Sequence, residues 1–323
     1  MPCSVCGNSL NNSEYVVNEM MFGFKDKFDY FECSKCGCLQ IASMPEDMEK
    51  YYPSEYYSFS ENKASQSKAR QFLRNQFIVY ALTGKSRLIG GTVNWVMPSR
   101  KEWLQREGLL KLRLTKHSRI LDVGCGSGTL LFNLVKAGFS NVSGIDAFIE
   151  SDIVYNGKKM IRKTVLEEVD GEYDLITFHH SFEHMYNQLE GLQAVKRLLA
   201  TKGTCVISMP TVSSYAWEQY RENWVQLDAP RHCFIHSQDS IRMLAGKAGF
   251  EITDVTYNSW SFQFWGSIQY QKGIPLRSER SYSENPSKSI FSNLQISEFE
   301  KKAKELNRIS RGDEAVFHLI SAS

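Results

Sequence analysis

The stretch that decides the fold is RILDVGCGSGTL, Arg119 to Leu130. A short apolar run ends at Val123, and Gly124, Gly126 and Gly128 then space a tight turn into a helix-like pattern. Glycine admits positive φ and lets a ligand approach the backbone closely, while the first turn of the next helix offers N–H groups with no partner of their own. The spacing is G-x-G-x-G, with Asp122 two residues before the first glycine. A dinucleotide fingerprint needs G-x-G-x-x-G, and its third glycine is Thr129 here; a phosphate loop ending in Gly-Lys-Ser/Thr is absent.

Outward from this turn, short apolar runs alternate with helical periodicity. Strands are expected at 119–123, 141–145, 173–179, 203–209, 250–257 and 314–320, and helices at about 128–137, 187–200, 237–248 and 294–308. That alternation predicts an α/β fold with a mostly parallel sheet covered by helices. The second strand ends at Asp146, 22 residues after Gly124, where a carboxylate accepts both hydroxyls of a ribose. The third, YDLITFHH, runs into SFEHM at the carboxyl edge, where open α/β sheets bind ligands. The last two strands are far apart, so about 259–312 reads as a lid or substrate-side insertion.

The whole chain has 323 residues, 38 Lys+Arg against 36 Asp+Glu, and 42% apolar residues. These values exclude wholesale disorder and fibrous classes, and the near-zero net charge predicts no global attraction to nucleic acid or membrane. The longest apolar runs, such as Phe77 to Leu82, fall far short of the roughly 20 residues that span a bilayer. With no basic flank leading into an apolar stretch at the start, the chain reads as soluble and cytoplasmic, with no membrane partner. Charge is nonetheless unevenly spread. Residues 1–60 hold four Lys and nine Asp/Glu, whereas 61–117 hold twelve Lys/Arg and three Glu. The second stretch reads as a basic helical connector, interrupted at Gly90-Gly91 and Pro98, ahead of a main domain at 118–323.

Cys3-x-x-Cys6 and Cys33-x-x-Cys36 lie 26 residues apart, each followed by glycine (Gly7, Gly37). Four thiolates at this spacing suit a tetrahedral Zn²⁺, and the intervening residues leave room for a hairpin, so 1–60 reads as a small zinc-ribbon-like module. Such a site is closed and structural.

On the residues around the glycine turn, the chain resembles class I S-adenosylmethionine-dependent methyltransferases over about 119–258, with RGDEAVFHLI fitting as the terminal strand. The resemblance implies a Rossmann-like seven-stranded sheet with helices on both faces. It implies that Gly124, Gly126 and Gly128 pack against the methionine part of S-adenosylmethionine and that Asp146 binds the ribose. Asp122, Cys125 and Ala147 would complete that wall, Phe148 and Leu166 would flank ribose and adenine, and the backbone near His179 would line the methionine pocket. One departure is that only about 20 residues separate Asp146 from Leu166, fewer than is common there. The segment FECSKCGCLQIASMPEDMEKYYPSEYY resembles the zinc-binding segment of a subgroup acting on sugars in polysaccharide or secondary-metabolite pathways. Sugar C-methyltransferases of that kind are longer, so O-methylation of a sugar or nucleotide-sugar is the expected activity.

Methyl transfer to a hydroxyl calls for a base, and histidine suits neutral pH. His232, in the stretch ENWVQLDAPRHCFIHS, is the first candidate, with His180 and His184 next; Trp224, Asp228 and Arg231 are expected to face the acceptor, Arg231 through a phosphate or carboxylate. His117 and His318 read as structural. The alternatives are an RNA- or protein-directed methyltransferase that docks through the zinc module, disfavoured by that module's acidity, and a non-catalytic scaffold, disfavoured by the intact glycines and Asp146.

Overall fold

The computed structural model describes residues 1–53, 68–84, 103–105, 107–110 and 112–322. At the N-terminus, β1 (Ser13–Asn18) and β2 (Lys27–Glu32) form an antiparallel pair in register from Ser13↔Glu32 to Asn18↔Lys27, and β3 (Leu39–Ile41) adds to β2. Each cysteine pair makes the same turn. Gly7 N–H bonds Cys3 O and Gly37 N–H bonds Cys33 O, and both glycines sit at positive φ (75° and 68°). Within the basic connector, the helix α1 (Lys68–Thr83) buries Phe77, Ile78 and Leu82. Gly90-Gly91 and Pro98 lie outside the described residues.

The main sheet follows. Its strands are β4 (Arg119–Val123), β5 (Asn141–Ile145), β6 (Ile153–Tyr155), β7 (Lys158–Arg162), β8 (Tyr173–His179), β9 (Leu199–Pro210), β11 (Phe250–Tyr257) and β12 (Glu314–Ser321), in the order β11-β12-β9-β8-β4-β5-β7-β6. The five from β9 to β7 are parallel; β12 and β11 at one end and β6 at the other run antiparallel. The helices that follow are α2 (Thr129–Lys136), α3 (Gln188–Leu198), α4 (Tyr215–Tyr220), α5 (Gln238–Lys247), α6 (Phe262–Gln271) and α7 (Asn293–Arg308). Among the described residues, no helix is long and apolar enough to cross a membrane.

The period-2 alternation of strands divides the core between two faces. Ile120, Leu175, Val206 and Val316 pack with α1 and with Leu130 and Leu134 of α2. Their neighbours Leu121, Ile176, Ile207 and Phe317 point the other way, against Leu192, Val195 and Leu198 of α3 and Ile241 and Leu244 of α5. Burial on both faces is why these strands read as continuous apolar runs.

The sheet expected with seven strands carries an eighth. Between β5 and β7 the connection is the hairpin strand β6, turned by Asn156-Gly157, both at positive φ (50° and 74°). Asn-Gly is the preferred two-residue hairpin turn because both central positions need the left-handed region. This compact link accounts for the short spacing from Asp146 to Leu166. The insertion at 259–312 holds α6 and α7, where Phe264 and Phe299 stack at 5.3 Å; of the aromatic run that begins it, Phe264, Trp265 and Tyr270 are core, whereas Trp260 stays exposed.

The N-terminal sheet is completed from the other end of the chain. Its fourth strand is β10 (Phe234–Ile235), paired with β3 as Phe234↔Gln40 and Ile235↔Leu39. Tyr30 Oη donates to His232 O (2.9 Å) and Ser237 Oγ to Cys36 O (2.5 Å). Apolar residues of the cysteine turns and of the main sheet therefore share one continuous core.

One buried carboxyl at the sheet's edge predicts a pH-dependent stability. Asp313, just before β12, is buried, and desolvation pushes its pKa up to about 7, with the indole N–H of Trp224 (2.9 Å) only partly opposing this. A raised carboxyl pKa means that folding takes up a proton, so its contribution is most favourable below the unfolded value and is lost as pH rises toward 7. Asp313→Asn is therefore expected to melt close to the parent at pH 4.5 and above it at pH 8, by on the order of 2–4 kcal/mol, in paired denaturation curves at the two pH values.

Candidate active site

The chain leaves β4 in the middle of the sheet, with β5 on one side and β8 on the other, so the strand order reverses there and a crevice opens at the carboxyl ends. Gly124 (φ 68°), Gly126 (51°) and Gly128 (76°) all take positive φ. Space enforces two of them as well: a Cβ on Gly124 would lie 2.4 Å from Ser181 Cβ, and one on Gly128 would lie 2.3 Å from Ile161 Cδ1. Gly128 caps α2 without a side chain, so no side-chain oxygen takes up its first-turn amides.

Asp146, at the tip of β5, accepts Gly126 N–H (2.9 Å) and Phe148 N–H (2.8 Å), one on each oxygen. Each oxygen retains a lone pair, so the carboxylate is fixed in place and still able to accept. Beside it Ala147 is exposed, Phe148 is 71% exposed and Leu166 is buried. Cys125 turns its thiol under β5, against Gly144, where burial raises its pKa. Asp122 accepts from Thr177 Oγ1 (2.7 Å) and faces His179 Nδ1 (3.4 Å), while His179 Nε2 meets Glu107 O (2.9 Å). Burial disfavours charge on His179, but Glu107 and Asp122 outweigh it and bring its pKa up to about 9. These two residues stiffen the strand ends below the crevice.

On the far side, His180 adopts φ 51°, an unusual conformation for a side-chain-bearing residue, and places Nε2 2.8 Å from Glu314 and Nδ1 3.4 Å from Glu183. Desolvation opposes its charge, yet the two carboxylates hold its pKa well above the usual value. His232 Nδ1 lies 2.7 Å from Gln226 O and His184 Nδ1 2.8 Å from Arg231 O. A carbonyl only accepts, so both Nδ1 atoms carry the proton, and in the neutral ring the lone pair lies on Nε2. The two rings lie 4.7 Å apart. Burial, then the neighbouring His184, lower the His232 pKa to about 4, so it is neutral at physiological pH.

Trp224 and Arg231 do not face this space. Trp224 is fully buried with its N–H on Asp313. Arg231, also fully buried, forks onto Asp228 (Nε–Oδ2 2.9 Å, Nη2–Oδ1 2.6 Å), reaches Tyr51 O (3.1 Å) and Glu19 (3.4 Å), and has the Phe22 ring 5.3 Å away. The expectation that both contact the acceptor is corrected. A buried guanidinium needs nearby carboxylates, and the structure supplies two, Asp228 and Glu19; Arg231 in turn pulls the pKa of Asp228 down to about 2 against the effect of burial.

Two contributors escaped the sequence reading. Tyr52, which follows the cysteine module, stacks on Phe148 (5.8 Å, interplanar 5°) and brings Oη to 3.3 Å from His184 Nδ1, bridging the two sides of the crevice. The tyrosine-rich run after the module was its only signal. Glu314 was signalled by an acidic pair preceding a buried strand, an arrangement that requires a partner.

The four module cysteines converge as well. Cys3 and Cys36 sulfurs are 3.5 Å apart, as are Cys6 and Cys33, and all four lie within 4.8 Å of one another. A tetrahedral Zn²⁺ with Zn–S near 2.3 Å spaces its sulfurs by about 3.8 Å, so the set fits the ion. Gln40 Nε2 (3.2 Å to Cys3 Sγ) and Asn8 Nδ2 (3.7 Å to Cys33 Sγ) add donors suited to thiolate.

Residues 100–255 match the family described as a methyltransferase domain. Together with the strand order, the turn and Asp146, this gives the segment a class I S-adenosylmethionine-dependent methyltransferase fold. Over 98 residues the chain is 35% identical to a ubiquinone biosynthesis O-methyltransferase of Rickettsia bellii, covering 28% of this chain and 40% of that protein. Over 125 residues it is 26% identical to the enzyme of that name from Pseudomonas aeruginosa, covering 35% and 51%. The chain thus spans about half or less of the length of these relatives. A solved 1,6-didemethyltoxoflavin-N1-methyltransferase of Burkholderia thailandensis aligns over 80% of this chain and 93% of that one, with 13% identity and a TM-score of 0.40.

The Arg231 contacts predict a structural phenotype. Arg231→Leu strands Asp228 and Glu19 in the interior and is expected to cost about 3–5 kcal/mol, read as a lower urea midpoint. A substitution at a substrate-facing arginine would leave that midpoint unchanged.

Proposed function

We propose that the protein is an S-adenosylmethionine-dependent methyltransferase acting on a small-molecule acceptor, with oxygen as the receiving atom and a sugar or nucleotide-sugar as the acceptor. The observation that carries this reading is the pairing of a three-glycine turn with a fixed, still-accepting Asp146 at the point where the strand order reverses. The bound cofactor supplies an electrophilic methyl group. Asp146 would accept from the ribose hydroxyls, Phe148 and Leu166 would hold the adenine, and the glycine turn would let the methionine part approach the backbone. Asp122 and His179 act beneath it as positioning groups.

On the acceptor side, His232 is the residue assigned to activating the hydroxyl, because its lone pair on Nε2 is held by a fixed tautomer and its neighbours His184 and Glu183 share the space. The sugar reading rests on the cysteine-rich N-terminal segment; the similarity to O-methyltransferases favours transfer to oxygen. The acidity of the first 60 residues disfavours a nucleic-acid acceptor, since such affinity rests on Lys and Arg neutralising phosphates. Cys3, Cys6, Cys33 and Cys36 are assigned one structural Zn²⁺.

Calorimetry with S-adenosylhomocysteine is expected to show one saturable site, and Asp146→Ala to weaken it by about tenfold or more, a loss of one or two charge-assisted hydrogen bonds. No heat at millimolar ligand would sink the proposal. His232→Ala is expected to keep that affinity while slowing methylation of nucleotide-sugar acceptors by roughly 10²–10⁴-fold. For the metal, elemental analysis of protein purified without added zinc should give about one equivalent, lost in Cys33→Ser together with part of the thermal stability.

A further inference from the structure

Glu183, on the turn after β8, is fully buried, and among the described residues neither of its carboxylate oxygens has a hydrogen-bond donor in geometry to serve it. Its nearest nitrogens are His180 Nδ1 at 3.4 Å and His232 Nε2 at 3.9 Å. His180 is already shared, because its other nitrogen sits closer to Glu314, at 2.8 Å. A buried carboxylate served only by a shared cation at that distance is poorly compensated, and the usual remedies are a closer cation or a coordinated metal.

The surroundings have the second remedy built in. Ligand atoms of Glu183, His184 and His232 lie within 4.8 Å of one another. Both histidines donate Nδ1–H to backbone carbonyls, those of Gln226 and Arg231, which is how metal-binding imidazoles are commonly oriented with Nε2 toward the ion. Metal–ligand bonds near 2.1 Å at a tetrahedral angle separate ligand atoms by about 3.4 Å, the spacing to which the set would contract around an ion.

We propose that Glu183, His184 and His232 bind a divalent first-row transition-metal ion, in a second metal site chemically distinct from the four cysteines. Two imidazoles and one carboxylate suit Mn²⁺, Fe²⁺ or Zn²⁺ and leave positions for outside ligands, whereas four thiolates enclose their ion. An acceptor oxygen in one of those positions would be polarised and made easier to deprotonate, so that with the ion bound His232 serves as a ligand in place of the base role given to it above. That last placement rests on the methyltransferase reading; the cation site itself does not.

The test uses the full-length, zinc-loaded protein and Mn²⁺, a hard ion that avoids thiolate sites. Titration followed by the paramagnetic resonance signal of free Mn²⁺ should show one ion taken up per chain. Glu183→Gln, which keeps size and shape, and His232→Ala should each weaken uptake by tenfold or more, while Cys33→Ser should leave it largely intact. Calorimetry with S-adenosylhomocysteine on the same samples checks that the variants are folded and separates the two readings. Homocysteine-product binding without Mn²⁺ uptake at millimolar ion overturns the cation site and leaves the methyltransferase standing. Mn²⁺ uptake that depends on Glu183, without product binding, does the reverse. Uptake unchanged in Glu183→Gln also overturns the site.

Discussion

A single buried guanidinium governs how this chain is put together. Arg231 cannot sit in the interior uncompensated, and the carboxylates that compensate it come from opposite ends of the molecule: Asp228 from its own loop and Glu19 from the N-terminal segment. Glu19 is already oriented by three amides, those of Phe22, Gly23 and Phe24, each 2.9 Å away, so it acts as a rigid receptor and not as a flexible surface acid. The N-terminal sheet is thus anchored to the loop that carries His232. The β3–β10 pairing and the hydrogen bonds from Tyr30 and Ser237 extend the same attachment along both sides of the residue.

The two halves of the crevice are made from different materials. The cofactor half is mostly backbone: left-handed glycines, helix N-terminal amides and one carboxylate held by two amides. Its geometry follows from steric rules acting over ten or twenty residues. The acceptor half is made of side chains whose protonation and direction are imposed by neighbours distant in sequence. His184 takes its tautomer from Arg231 O and His232 from Gln226 O, while Glu314, from the last strand, lies against His180 and favours its charged form. Tyr52 spans the two halves, stacked on Phe148 and close to His184, so the segment following the cysteine module reaches the centre of the crevice.

What was legible in the sequence follows from that division. The strands at 119–123 and 173–179 coincide with the observed ones because burial on both faces writes an apolar run, whereas those at 141–145 and 250–257, which also coincide, are only partly buried, the latter marked by the alternation of FEITDVTY at the sheet's end. The β6–β7 hairpin carried a local signal, Asn156-Gly157, but its strands are short and half-exposed at the sheet edge, so no apolar run announced them. Helix α6 was hidden for the opposite reason. Nearly all of its residues are buried, so its aromatics lack the one-sided stripe that marks a surface helix.

By itself the sequence determined the α/β alternation, the glycine turn facing Asp146 and the pairing of the cysteines. Each of these depends on φ preferences, side-chain periodicity or ligand spacing within a short window. Only the tertiary structure decided that Arg231 and Trp224 are framework, that β10 completes a sheet begun more than 200 residues earlier, and that Glu183 lies buried with no hydrogen-bond donor in place among the described residues. A side chain's role there is set by which charges and dipoles surround it once water is excluded, and those partners are brought together by folding, not by proximity along the chain.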